Sequence, residues 1–549
     1  MQRSEKKNSY KFWVDKVAED IIVREKKLKR GIKVFRTESG LGASGIPHVG
    51  SFTDVVKANA VALALEDAGV KAEFIPYADD RDGLRKVPLG FPDWLEKYIG
   101  APVTDIPDPF KDCHKSFGEH MASLLLEAIE RAGIEASPHS GTRDYRKGIF
   151  NEQIHEILVN AEKIGGVIKK MSGQEKYIDV LPYFPVCENC GKIYTTRSIE
   201  LHSEEHKVSY VCDGSFLGKN MNTMKDVEVR GCGHKGEASY FYGSGKLTWK
   251  VEFAMRWPAL GIVFEGYGKD IRDSVLVNDE ICRQILKFEP PVHVMWELFL
   301  AKGGKKISKS FGNVFTPQVW YNYGSPQSLM LLMLKRFEGT RELDVTDIPK
   351  YMDELNKLDE NYFNLKKIKE DRDKVNTKRL FEFVNLLKPL KKPSLHVAYD
   401  TWIELLKILP ENEKDRLDFV VKKLKDFGHM KSKALEEETE KFIEERLQYA
   451  KNWHNDFVLQ KTESEEEFEI PGDAKPAIQE LIQLIGREKD GEKIQKDVFL
   501  IAKKHGLQPP EFFRIVYRIL LNQDRGPRLG PYIIERGKAE VIEKLEDVL

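Results

Sequence analysis

Gly42, Gly45 and Gly50 share one short loop, Gly40 to Ser51, with a helix start behind it. Glycines there let the backbone close on a ligand, and a helix N-terminus favours an anion, so the loop suits a phosphate. His48, in Pro47-His48-Val49-Gly50, sets an imidazole at the mouth of that helix, able to donate to a triphosphate. Farther on, Gly303-Gly304-Lys305-Lys306-Ile307-Ser308-Lys309-Ser310-Phe311-Gly312-Asn313 puts three lysines and two serines on a glycine-flanked loop. Lys306 and Lys309 would neutralise charge building on a pyrophosphate leaving group, a stabilisation specific to the transition state. Between the two, Glu265-Gly266-Tyr267-Gly268-Lys269-Asp270 offers Asp270 to ribose hydroxyls, with Gly268 letting a nucleoside lie close.

Asp79, Asp80 and Asp82 crowd the end of an expected strand, Ala72 to Tyr77. Three carboxylates there favour a cationic group on a ligand; the alternative is pairing with Arg81, Arg85 and Lys86. Cys187, Cys190, Cys212 and Cys232 carry the spacing of a tetrahedral zinc site, and His234 is able to replace one of them. Asp108, Cys113, His114 and His120 bring four more possible ligands into thirteen residues, a second metal site or capping and surface groups.

These groups need a frame. Lys33 to Arg36 reads as a strand, Gly40 to Gly45 as a loop, and Val55, Ala58, Val61, Ala62 and Leu65 as one face of a helix ended by Gly69. The strand pattern returns at Gly261 to Phe264 and His293 to Phe299, around a helix from about Ser274 to Leu286. Such alternation predicts a doubly wound parallel sheet of Rossmann type, its site at the carboxyl ends of the strands. Residues 92–240 read as an insertion bearing the cysteines; residues 1–91 and 241–349 are the two halves of the α/β domain. Residues 350–470 read as a helical domain and residues 471–549 as a last helical module, after an acidic run from Thr462 to Glu469.

The chain has 549 residues, room for several domains. Its 87 Lys plus Arg against 88 Asp plus Glu exclude a nucleic-acid footprint made by net charge, so any RNA-binding surface is local. Six cysteines are too few for a disulfide scaffold, and neither a signal peptide nor a membrane span is legible; a reducing cytoplasm is expected.

Taken together, the His48 and Lys306 to Ser310 segments resemble the HIGH and KMSKS signatures of class I aminoacyl-tRNA synthetases, in order and about 255 residues apart. Ser51 stands where the second signature histidine is usual, and Ile271 where related enzymes often carry histidine. Gly42 to Gly50, Asp79 to Pro88, Asp108 to Phe110 with Cys113-His114, Trp249 to Trp257, and Gly526 to Pro531 together resemble the class I lysyl-tRNA synthetases. The resemblance implies lysine, ATP with magnesium, and tRNA(Lys) as substrates, no membrane, and a Rossmann-type domain joined to an all-α anticodon-binding region. It implies ATP contacts at Gly42, Gly45, His48, Gly50, Ser51, Gly268, Asp270, Lys306, Ser308 and Lys309. Catalytic roles fall to His48, Lys306 and Lys309, and the substrate ammonium to Asp79, Asp80 or Asp82. One structural zinc and a second are expected, and a monomer.

Phosphate contacts are expected from the insertion and from Lys26 to Arg30 and Lys169-Lys170, anticodon contacts within Pro510 to Arg518. Two alternatives stand beside this: a class I synthetase for arginine or glutamate, and a non-catalytic RNA-binding paralogue.

Overall fold

The computed structural model describes residues 10–110, 113–297, 299–301, 305–306, 315–335, 339, 341–409, 413–430, 436–459, 470–521, 526 and 528–549. The chain forms two compact units, Met1–Lys451 and Asn452–Leu549.

The first unit is built on five parallel strands: β1 (Phe35–Leu41), β2 (Ala72–Ala78), β3 (His139–Ser140), β4 (Ile262–Gly268) and β5 (Val292–Trp296). They lie in the order β5-β4-β1-β2-β3. The chain therefore runs outward from β1 in one direction, then restarts on β1's other side. A crevice opens at such a switch point, beyond the carboxyl ends of β1 and β4. Strand β1 starts two residues later than the sequence suggests and runs through Gly40, which is paired with Tyr77. Of the stretch read as loop, Gly40 and Leu41 continue the ladder and Gly42 to Gly45 leave it; a Cβ at Gly40 would stand 3.3 Å from the Asp79 carboxylate.

Helix α2 (Val49–Asp67) covers the sheet, and helix α1 (Trp13–Leu28) packs on α2. Nearly every face of α2 is apolar and buried, as befits a helix held between the sheet and other helices. Helix α3 (Phe117–Arg131) leads into β3, and α4 (Trp249–Leu260) and α5 (Arg272–Gln284) flank β4. Between β3 and α4 lie short helices and antiparallel strands, among them Arg197–His202, Lys207–Val211 and Lys235–Ser239. Buried residues of this segment, including Cys187, Val208, Tyr210 and Cys212, join one continuous core with Ile75, Trp257 and Ile262.

After β5 come helices such as Pro326–Leu334, Ile348–Phe363, Asp371–Val384 and Glu437–Trp453. The described part of the second unit is helical, with Ile478, Leu481, Val498, Phe512, Val516 and Ile533 in its core. Phe512, Ile515 and Val516 are buried, so these members of the stretch Pro510 to Arg518 pack rather than face a ligand. The acidic run Thr462 to Glu469 lies outside the described residues. Among the described residues no helix is long and apolar enough to cross a membrane.

Candidate active site

His48 is the N-cap of α2, and its Nδ1 accepts the amides of Gly50 (3.0 Å) and Ser51 (3.3 Å). A ring nitrogen that accepts backbone N–H is unprotonated, so the neutral ring carries its proton on Nε2. Position 50 admits no side chain: a Cβ would stand 2.7 Å from the His48 ring. The imidazole is thereby held at the positive end of the α2 dipole, as an anion-directed donor must be. Gly42, Pro47 and Ser51 border one small crevice there, closed by Met121 and Leu125 of α3. Gly45 is buried in the bend between them.

The lysine-bearing segment is tied to the same helix at both ends. On its near side, Trp296 at the end of β5 donates from Nε1 to Asp54 of α2 (2.8 Å). That indole lies against Gly266, where a Cβ would come within 2.0 Å of the ring, and Lys57 sets its ammonium 4.3 Å from the ring centre. Burial pushes Asp54 up to about 7 and Lys57 down to about 7. Beyond it, strands Phe299–Ala301 and Lys305–Lys306 pair antiparallel. On the far side the Phe315 carbonyl accepts the amide of Val49, the first residue of α2 (2.9 Å). Ser308, Lys309 and the side chain of Lys306 lie outside the described residues. Trp296 and Phe315, which flank the second motif in the sequence, thus both meet α2.

Gly268 ends β4 and precedes a single turn, Lys269–Ile271, which presents Asp270 at the surface; Lys269 pairs with Glu297. After it, Asn278 of α5 accepts the Ala254 amide (2.9 Å) and donates to the Trp249 carbonyl, fixing α5 on α4.

Each of the three aspartates has a partner, none of them among Arg85 and Lys86. Asp79 pairs with Arg256 (2.9 Å), whose guanidinium also meets Glu38 (2.6 Å) and Glu265 (3.5 Å) and lies 4.1 Å over the Tyr77 ring. Asp80 accepts from Ser140 (2.6 Å) and from the Thr142 amide (2.7 Å), capping a short helix. Asp82 pairs with the buried Lys246, which also meets Glu252 (2.5 Å). Burial raises Asp79 to about 7 and Glu38 well above the carboxylate range, with Arg256 opposing in both cases. Carboxylates outnumber cations here: Glu38, Asp79, Glu265, Asp82 and Glu252 against Arg256 and Lys246. The sequence reading missed Glu38, Glu265 and Arg256. Their signal was a charge embedded in apolar text, as in Phe253-Ala254-Met255-Arg256-Trp257.

Two compact groups of metal-ligand atoms stand outside this cluster. The Sγ atoms of Cys187 and Cys232 are 3.6 Å apart, those of Cys190 and Cys212 3.7 Å, and all four lie within 4.8 Å of one another. A disulfide needs about 2.05 Å, whereas sulfurs about 2.3 Å from a shared tetrahedral zinc stand about 3.8 Å apart. The four sulfurs lie together, and the His234 ring packs against Tyr210. In the other group, Cys113 Sγ lies 3.3 Å from an Asp108 oxygen, 3.2 Å from His114 Nδ1 and 3.3 Å from His120 Nδ1, and the two Nδ1 atoms are 3.2 Å apart. Asp108 further accepts the amides of Phe110 and His114, each at 2.9 Å, which orients it.

The family model of tRNA synthetases class I (K) matches residues 11–386. A lysine–tRNA ligase of Cenarchaeum symbiosum (strain A) is 44% identical over 96% of this chain and 97% of its own length. One from Natronomonas pharaonis is 28% identical over 97% of each. The solved glutamate–tRNA synthetase of Elizabethkingia anophelis covers 94% of this chain and 99% of its own at 14% identity and a TM-score of 0.37, too low to carry an argument. With its signature helix and lysine-bearing segment joined as described, and a match over most of its length, the chain belongs to the class I (K) tRNA synthetases.

Proposed function

We propose that this chain is a lysine–tRNA ligase. It activates L-lysine with ATP, entering as its magnesium complex, to lysyl-adenylate and pyrophosphate, and then transfers lysine to the 3′ end of tRNA(Lys). The observation that carries the reading is the attachment of both ends of the lysine-bearing segment to α2, in a chain whose near-full-length relatives are lysine–tRNA ligases.

In activation a carboxylate oxygen of lysine attacks the α-phosphorus of ATP, the bond to the bridging oxygen breaks, and pyrophosphate leaves. His48 Nε2 and the α2 terminus face the phosphates, and Lys306 and Lys309 neutralise the leaving group. Gly42, Gly45, Gly50, Ser51 and Ser308 line the nucleotide, and Gly268 with Asp270 hold its ribose. The surplus of carboxylates around Asp79 and Asp82 attracts the substrate ammonium, while Asp80 serves the fold through Ser140 and Thr142. Pyrophosphate exchange into ATP, measured with tRNA present, is expected with lysine and with neither arginine nor glutamate. Exchange driven by either of those instead would replace this reading.

Residues 1–91 and 241–349 form the catalytic domain, 92–240 the insertion, 350–470 a helical domain and 471–549 the anticodon-binding region of a cytoplasmic monomer. Cys187, Cys190, Cys212 and Cys232 hold one zinc, and Asp108, Cys113, His114 and His120 a second. Zinc would supply no chemistry here beyond fixing the chain around it. Two equivalents of zinc per chain are expected by elemental analysis, with one lost in Cys187→Ser and the other in Cys113→Ser. A single equivalent in the wild type, unchanged in Cys113→Ser, would remove the second site.

A further inference from the structure

The lysine-bearing segment leaves β5 through Trp296 and Glu297, and both are held by side chains other than those assigned to the substrates. Three sides of the Trp296 indole are occupied. Its Nε1 donates to Asp54 of α2 (2.8 Å), the Lys57 ammonium lies 4.3 Å from its ring centre, and the outer edge of its six-membered ring lies against Gly266. Glu297 pairs with Lys269, the neighbour of Asp270 in the turn after β4. One dipeptide therefore joins the signature helix to the turn that is to hold the ribose.

Asp54 and Lys57 are costly residues to place beside a ring. Lys57 is buried, and burial drives both toward their uncharged forms, each to about 7. A buried charged group adds little net stability where an apolar side chain of similar volume would pack. Direction is what the apolar side chain would lack. It would fill the space beside the indole without fixing where the N–H points, whereas an acceptor 2.8 Å away fixes it. The orientation of Trp296 in turn sets the path of the chain toward Lys305 and Lys306. Asp54 stands on the helix capped by His48, so the hydrogen bond ties that path to the frame of the imidazole.

We propose that Asp54 is a positioning residue for adenylate formation, setting the root of the lysine-bearing segment relative to His48 through the Trp296 indole. This rests on the lysine–tRNA ligase reading and deepens it. Asp54 acts through another residue and not on the reacting atoms, and Lys57 braces the face of the ring.

Asp54→Leu, Asp54→Asn, Trp296→Phe and the double variant D54L/W296F are compared as full-length proteins. Lysine-dependent pyrophosphate exchange with tRNA present gives kcat and KM, and urea midpoints are taken beside them. Asp54→Leu is expected to lower kcat about thirtyfold, since a displaced root suffices for a loss of that order. The KM for lysine should stay within about twofold, because the acidic cluster around Arg256 is untouched. Asp54→Asn, whose Oδ1 still accepts from the indole, recovers most of the loss. Trp296→Phe loses about as much as Asp54→Leu, and the double variant no more than either, because the two side chains act through one hydrogen bond. Full kcat in Asp54→Leu overturns the proposal. So do losses that multiply in the double variant, and so does an Asp54→Asn enzyme as slow as Asp54→Leu, which would assign the role to the charge. Should Asp54→Leu not fold, full kcat in Trp296→Phe is equally decisive against it. Failure of the ligase reading looks different, because the wild type then shows no lysine-dependent exchange.

Discussion

Replacing His48 by asparagine is expected to leave the fold as stable as the wild type while slowing lysine-dependent pyrophosphate exchange about 10²–10³-fold. The two nitrogens of the ring do separate things. Nδ1 caps α2 by accepting the amides of Gly50 and Ser51, and an asparagine Oδ1 occupies nearly the same place with the same acceptor chemistry. Nε2, which holds the proton, has no counterpart in asparagine. Alanine at the same position removes both functions, and should cost about 1 kcal/mol of stability in addition to the rate. Urea midpoints and exchange rates of the two variants separate capping from catalysis. Full-rate exchange by His48→Asn would show that the donor on Nε2 does not take part.

That His48 stands at the mouth of α2 was legible from four residues of text, because glycine at position 50 and a helix start at 49 leave the ring little else to do. The second motif was legible as a motif, yet its route to α2 was not. That route runs through Trp296, Asp54, Phe315 and Val49, residues that read separately as strand, helix and loop and meet only once the sheet orders β5, β4 and β1 side by side. The group Asp108, Cys113, His114 and His120 falls within thirteen residues, so local chain geometry nearly suffices for it, whereas the cysteines were read from the Cys187-x-x-Cys190 spacing and meet across 45 residues at Cys187 and Cys232. His234 shows the limit: proximity in sequence made it a candidate, and packing turned its ring toward Tyr210. The aspartates went the same way. Composition near Asp79 suggested Arg81, Arg85 and Lys86 as partners, whereas the partner of Asp79 is 177 residues away on α4. An ion pair between a strand end and a helix of another crossover leaves no periodic trace in either segment.

Arg256→Met is expected to lower stability by about 3–5 kcal/mol, the largest structural effect we foresee. The guanidinium is fully buried and is shared by Glu38, Asp79 and Glu265, and a methionine of similar volume fills the space over Tyr77 without the charge. Three carboxylates then face one another in a site with little water. Their cheapest response is to stay protonated, which fixes the sign of the pH dependence. A carboxyl whose folded pKa stands above its unfolded value adds stability at low pH and loses it as pH rises through the folded pKa. Asp79 already sits at about 7 with Arg256 beside it, so its removal widens the window upward. The deficit of the variant should therefore be smaller at pH 5 than at pH 8, as read from urea midpoints at both. Arg256→Lys, which keeps one charge but not the three-way fork, should recover part of the loss. A deficit that is the same at both pH values would mean that the arginine serves mainly as packing. The same cluster would then lack the buried carboxylate surplus through which we expect the substrate ammonium to be recognised.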